Sequence, residues 1–333
     1  MKWNLAMNRR KILKSVLFVS TFLLLVAGLV FSEIQILKAT VFSNQTEDVS
    51  EWEDKTVTVD GVDYFPRQDI TTILVLGIDE EGPVTASGSY RNHGEADAVM
   101  LLILDHAQDS IDVLCLNRDT MVQMPVLGIG GRKSGTRYAQ LALSHTYGEG
   151  LEDSCENTQT TIEDFLNNIV IDHYIAMNMD AIVIVNDTVG GVNVTITDDF
   201  SEIDPSLKMG EVTLHGQQAL TYVQTRINVG NQLNISRMER HREYMDGLMR
   251  AMKAKLAEDD SFATRLYEKV SDYVVTDCSM NVVSGLMNRC AGYTLGEIVS
   301  PVGDNVLTEV YYEFYADEEA LDELILQLFY APK

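Results

Sequence analysis

Apolar positions along this chain fall into two kinds of pattern. Short, mostly apolar runs end or begin at acidic or turn residues: 72–78 (TILVLGI) before Asp79, 98–104 (AVMLLIL) after Asp97, and 111–116 (IDVLCL) before Asn117. Runs of this length with such boundaries read as buried strands. Further on, the apolar spacing moves to three and four, so residues 138–147, 156–168, 180–189 and 216–226 read as helices. Ile162, Phe165, Leu166 and Ile169 share one face of the second, and Gly190-Gly191 closes the third. Residues 173–179 (HYIAMNM) and 192–196 read as further strands. Strands alternating with helices predict an α/β sheet covered on both faces. Asp60-Gly61 between alternating segments predicts a hairpin turn. Residues 128–135 (GIGGRKSG) form a flexible basic loop without the Gly-Lys-Ser/Thr ending of a P-loop. Beyond 255 the character changes. Residues 262–273, 279–288 and 318–329 read as helices and 309–315 (EVYYEFY) as a strand, either a small subdomain or extra layers on the same core.

One apolar run is different in kind. Residues 16–31 (VLFVSTFLLLVAGLVF), extended by Ile12, Leu13 and 34–37, are long enough to cross a bilayer. Lys2, Arg9, Arg10, Lys11 and Lys14 precede the run, and basic flanks stay inside, so everything beyond Glu33 faces outward. Val26-Ala27-Gly28 leaves a cleaved signal peptide as the alternative to an uncleaved anchor. The chain then divides into a cytoplasmic tail (1–11), a single-pass transmembrane anchor (12–37), a membrane-proximal segment (38–70), a main domain (71–258) and a C-terminal extension (259–333).

Charge sharpens the picture. The 333 residues carry 25 Lys+Arg against 50 Asp+Glu, a net −25. That excludes a nucleic-acid partner, whose phosphates demand a broad basic face. Against this acidic background Arg226, Arg237, Arg240, Arg242 and Arg250 crowd into one segment. A helix starting at Ser236 as N-cap, with Glu239 completing a capping box, puts Arg237, Arg240 and His241 on one face of its first turn. Guanidinium forks beside a helix N-terminus suit a small polyanion. Asp79, Asp97 and Arg118 each lie at a strand terminus, where α/β sheets collect ligand groups. A carboxylate pair there is suited to Mg²⁺, which takes few protein oxygens plus phosphate. Cys115, Cys155, Cys278 and Cys290 lack metal-ligand spacing; Cys115 reads as a small buried hydrophobe, and a Cys278–Cys290 pair stays open.

Eight blocks then line up in order: VLGID at Val75, EADAVMLLIL at Glu95, NRDT at Asn117, SHTYGEG at Ser144, IDHYIAMNM at Ile171, DTVGGVNV at Asp187, GQQALTYVQTR at Gly216 and SRMERHREYM at Ser236. Together they resemble the LytR–CpsA–Psr family of membrane-anchored cell-wall glycopolymer transferases of Gram-positive bacteria, over residues 71–255. The resemblance implies an α/β/α sandwich with a central mixed sheet, an apolar pocket for a lipid and a mouth for its pyrophosphate. It implies transfer of an anionic glycopolymer, such as teichoic acid or capsule, from a polyprenyl-pyrophosphate carrier to peptidoglycan, assisted by Mg²⁺ (or Mn²⁺). By position, Asp79 and Asp97 match the family's metal-associated aspartates. Arg118, Arg226, Arg237 and Arg240 match its pyrophosphate-binding arginines, with Arg118, Asp97 and Arg226 as the catalytic set. Gln224 and His241 complete the expected mouth.

Gln224 and His241 are also departures: the family has Arg and Gln there. Asn117 stands where Pro is frequent, and Asn231 and Asn234 where Asp is common. These departures leave two rival functions open. One is a non-catalytic or regulatory relative that binds lipid-linked polymer; the other is a polyprenyl-pyrophosphate hydrolase using water as acceptor. The arginines are expected to be exposed, and so to contribute little to folding. On the topology read from the basic flank, protease added to intact protoplasts digests the chain beyond Glu33. Digestion only after permeabilisation would reverse the orientation.

Overall fold

The computed structural model describes residues 56–225, 228–230, 234–259, 262–278, 290 and 292–333. The predicted span at 12–37, the helix expected at 279–288, Asn231 and Arg226 lie outside these residues. Among the described residues no helix is long and apolar enough to cross a membrane.

The described chain opens with a hairpin of β1 (Val57–Val59) and β2 (Val62–Pro66). Its turn is the predicted Asp60-Gly61, both at positive φ (52° and 79°), as a tight hairpin turn requires. Next come β3 (Ile70–Ile78), β4 (Ala96–Asp105) and β5 (Ser110–Leu116), an antiparallel series built from the three apolar runs. A second hairpin, β6 (Met121–Leu127) and β7 (Lys133–Gln140), leads through a 3₁₀ turn (Leu141–Thr146) to α1 (Glu152–Phe165). Then come β8 (His173–Asn178), α2 (Met179–Thr188), β9 (Val192–Ile196) and β10 (Gly210–Leu214). After these come α3 (Gln217–Gln224), α4 (Asn234–Glu258) and α5 (Phe262–Val270). The chain closes with β11 (Val274–Thr276), β12 (Thr294–Val299), β13 (Gly303–Leu307), β14 (Tyr312–Ala316), α6 (Glu318–Phe329) and β15 (Tyr330–Pro332).

The central sheet has the order β11-β8-β3-β4-β5-β12. β8 runs parallel to β3 and β12 parallel to β5, while the other pairs are antiparallel, so the sheet is mixed. One face packs against α2 to α5 through Ile73, Val75, Leu102, Val113 and Ile175. The other packs against α1 and α6 through Leu74, Leu76, Leu101 and Ile103. Residues beyond 258 are therefore built into the core: β11 and β12 supply both sheet edges, and α6 covers one face.

Two expectations need correction. Residues 138–147 are not a helix: 133–140 form β7, and only 141–146 turn as 3₁₀. The partner strand β6 contains Pro125, which masks its strand character; β6 pairs on one side only, so the missing N–H is tolerated. The helix read from Ser236 begins at Asn234, so Ser236 is a buried first-turn residue and not the cap. Cys115 is buried as expected, and none of the four cysteines is in a disulfide.

Two local features bring α4 and the end of β4 into position. At Gly247, α4 lies against β9: a Cβ there would collide with the Asn193 carbonyl oxygen. At the far end of β3, Gly77 pairs with Ala98 and Ile78 with Ala96, leaving Asp97 as an extra residue in β4. This bulge resets the alternation. Val99 and Leu101 share a face with Ala96 rather than with Asp97, which re-aims the Asp97 side chain.

Just ahead of that bulge, the backbone of 92–94 is tied to the 3₁₀ turn. Asn92 donates to the carbonyl oxygens of His145 (2.8 Å) and Gly148 (3.2 Å), and its own oxygen accepts from Gly94 N (2.8 Å). His145 Nδ1 donates to Gly94 O at 2.8 Å, and Cys155 Sγ lies 3.9 Å from its Nε2. Burial pushes the imidazole down to about 4. Between pH 6.5 and 4 the unfolded chain thus binds a proton that the folded chain refuses, so stability falls as pH drops through that window. His145→Gln should flatten the slope of unfolding free energy against pH there by up to about 1.4 kcal/mol per pH unit. An unchanged slope in chemical denaturation across that window would show that His145 is not neutral in the fold.

Candidate active site

The bulged Asp97 brings together groups from three elements. Arg118, just past the end of β5, donates from Nη1 to Asp97 Oδ1 and from Nη2 to Glu95 Oε2. Arg237, in the first turns of α4, donates from Nη1 to Asp97 Oδ2 at 3.0 Å, and its Nη2 reaches the Asp97 carbonyl at 3.4 Å. One carboxylate thus bridges two guanidiniums. Arg118 Nε is buried without a hydrogen-bond acceptor; a carboxylate oxygen of Asp119 lies 3.6 Å away. Neither arginine is exposed as expected: their side chains are 15% and 5% accessible. Glu95 is a member that sequence reasoning missed, although it stands two residues before Asp97 in a block already singled out.

Asp79 follows β3 at the same end of the sheet. Its backbone N donates to Glu95 O at 2.9 Å, and its carboxylate accepts from Gln224 Nε2 at 3.3 Å. Gln224 therefore borders the cluster from the C-terminus of α3. Because Ile78 pairs with Ala96, Asp79 and Asp97 lie at the same end of one strand pair. Their hard oxygens match Mg²⁺ or Mn²⁺ chemistry. They do not form a ready-made cage of three ligands. The described residues with three possible ligand atoms within 4.8 Å are His173, Asp277 and Cys278, and His173 opens β8 at the opposite end of the sheet.

Arg240 and His241 turn elsewhere. Arg240 is buried, donating to Tyr222 O (2.9 Å), to Thr225 O and to Asp198 Oδ2 (2.7 Å), with its guanidinium over the Phe200 ring. Those contacts fasten α4 to the end of α3, and a ligand would have to displace them. His241 donates from Nε2 to Val223 O at 2.9 Å. Burial, then the neighbouring Arg237, push its ring down to about 3, so it is neutral. What it presents is a ring wall rather than a charge.

That wall belongs to an apolar cavity of about 120 Å³ between the sheet and α4. Gly77, Ala98, Val75 and Met100 line it from the strands; Val223, His241, Tyr244, Met245, Leu248 and Met249 line it from the helices. Ala98 follows Asp97, and His241 follows Arg237 by one turn, so the cavity begins beside the ion cluster. Gly77 and Ala98, cross-strand partners, keep that end free of bulky side chains. The cluster can bind an anion through guanidinium forks, and the cavity can take an apolar chain joined to it.

The chain is 24% identical over 288 residues to the polyisoprenyl-teichoic acid–peptidoglycan teichoic acid transferase TagU of Bacillus subtilis, covering 86% of this chain and 83% of that one. It is 26% identical over 258 residues to TagV of the same organism, covering 75% and 61%. The crystal structure of B. subtilis TagV superposes with a TM-score of 0.60 at 24% identity, over 79% of this chain and 96% of that one. The structure of TagT bound to LI-WTA does so at 0.59 and 23%, over 78% and 90%. A profile of the LytR_cpsA_psr family matches residues 34–328. The chain belongs to the LytR_cpsA_psr family.

Proposed function

We propose that this protein transfers an anionic glycopolymer from a polyprenyl-pyrophosphate carrier to peptidoglycan. The observation that carries this reading is the adjacency of a paired-guanidinium cluster and an apolar cavity, as a lipid pyrophosphate requires. The names borne by the TagU and TagV relatives support it. On this reading residues 12–37 anchor the chain in the membrane, with the domain outside. Arg118 and Arg237 hold the phosphate oxygens, and the cavity takes the isoprenoid units nearest the pyrophosphate.

A sugar hydroxyl of the acceptor attacks the phosphorus bearing the polymer. The new O–P bond forms as the bond to the bridging oxygen breaks; polyprenyl phosphate leaves, and a cluster carboxylate takes the hydroxyl proton. Charge builds on the bridging oxygen, so fixed guanidiniums matter more there than in the ground state. Asp79 and Asp97 would hold Mg²⁺ or Mn²⁺, which supplies further neutralisation of phosphate charge. The rival reading, binding without transfer, draws on Gln224 and on the neutral His241, neither of which adds positive charge to the mouth.

Arg118→Lys and Arg237→Lys keep the charge but lose the fork. Each should lower the transfer rate at least about a hundredfold, roughly 2.7–4 kcal/mol. Both side chains are largely buried against Asp97, so each should lower the thermal midpoint as well, though less than loss of the charge would. Arg240→Ala, in contrast, should unfold readily, losing about 3–5 kcal/mol by stranding Asp198 and two carbonyls. The assay is transfer of lipid-linked polymer to peptidoglycan by the full chain. Normal transfer by both lysine variants would remove the arginines from catalysis, and lipid-linked polymer bound without turnover would favour the rival.

Chelation gives an independent test. Removing divalent metal should stop transfer, Mg²⁺ should restore it, and Asp79→Asn should raise the Mg²⁺ concentration needed by about tenfold or more. Transfer that persists in excess chelator would exclude the metal.

A further inference from the structure

A second groove lies on the other face of the sheet, and the transfer step at the arginine cluster does not use it. It has a volume of about 500 Å³. Tyr138 on β7 and Tyr315 on β14 line it, 51% and 40% exposed, beside Gln123, Asp164, Glu318 and Asp322. Gln123 and Tyr138 are cross-strand partners, so they stand on the same side of the hairpin.

The groove is tied to the active site by short connections. Gln140 donates to Asp119 Oδ1 (3.2 Å) and to Tyr312 O (2.8 Å), while Phe314 N donates to Asp119 O (2.9 Å). Asp119 directly follows Arg118. Tyr138 lies two residues from Gln140 and Tyr315 one from Phe314, about 7 Å and about 3 Å along their strands. The groove therefore leads away from the end of the sheet where the phosphate would react.

We propose that this groove binds the uncharged sugar strand that accepts the polymer, an inference resting on the transferase reading. Pyranose rings have apolar C–H faces and a rim of hydroxyls. Exposed phenol rings offer flat amphipathic contacts for the faces, and the surrounding amide and carboxylate oxygens accept from the hydroxyls. Charge decides between the two substrates. Among the described residues three carboxylates and no lysine or arginine line the groove, so an anionic polymer is repelled while a neutral glycan is not. Two large aromatics left in water on separate elements, converging on one groove, mark a contact surface rather than scatter.

The test titrates full-length chain in detergent micelles with the β-1,4-linked hexamer of N-acetylglucosamine, followed by calorimetry. Binding is expected, with Tyr138→Ala and Tyr315→Ala each weakening it about tenfold or more and Tyr138→Phe retaining it. Inorganic polyphosphate should fail to displace the sugar. Arg118→Lys should leave sugar binding unchanged while abolishing transfer, which separates this inference from the transferase reading. No binding, binding indifferent to both tyrosines, or displacement by polyphosphate would overturn the groove assignment. So would a loss of self-association in the tyrosine variants, which would make the groove a contact between copies of this chain.

Discussion

The Asp97 carboxylate, shared between Arg118 and Arg237, is the contact on which the rest of the site depends. It joins the end of the sheet to the first turns of α4. Two guanidiniums this buried are stable only where a carboxylate balances them. The same contact holds α4 across the sheet so that the space beneath it stays open as an apolar cavity. The bulge makes this possible: without the extra residue in β4, Asp97 would point to the face occupied by α1 and α6.

Two arginines three residues apart on α4 illustrate how position separates roles that composition cannot. Arg237 reaches a carboxylate at the sheet end, beside the cavity. Arg240 reaches two carbonyls and Asp198, and serves to close α3 onto α4. Both are buried alike. Only the acceptors around them tell them apart.

The three central strands were legible because each is a mostly apolar run bounded by Asp79, Asp97 or Asn117. The ends of those runs also located most of the candidate site. The β6–β7 hairpin was not legible: Pro125 and Gly135 interrupt its pattern, and its strand identity comes from pairing. β11 is three residues long, too short to show a period, and Gly296 breaks β12. The bulge left no trace in the pattern, since Ala96-Asp97-Ala98 reads as ordinary alternation. The burial of Arg118 and Arg237 was hidden for the same reason, because it depends on what covers them.

The last strand pairs with the first described hairpin: β15 lies antiparallel to β2, and Lys333 N bonds to Asp63 O. Both edges of the central sheet are likewise closed late, by β11 and β12. A chain synthesised from its N-terminus therefore presents β8 and β5 as open edges until its last portion emerges, and open edges invite pairing with other chains. A ribosome that stops just short of Val274 thus releases a sheet with neither edge sealed. For a chain of this architecture, truncation at the C-terminus is a lesion of assembly rather than the trimming of a tail.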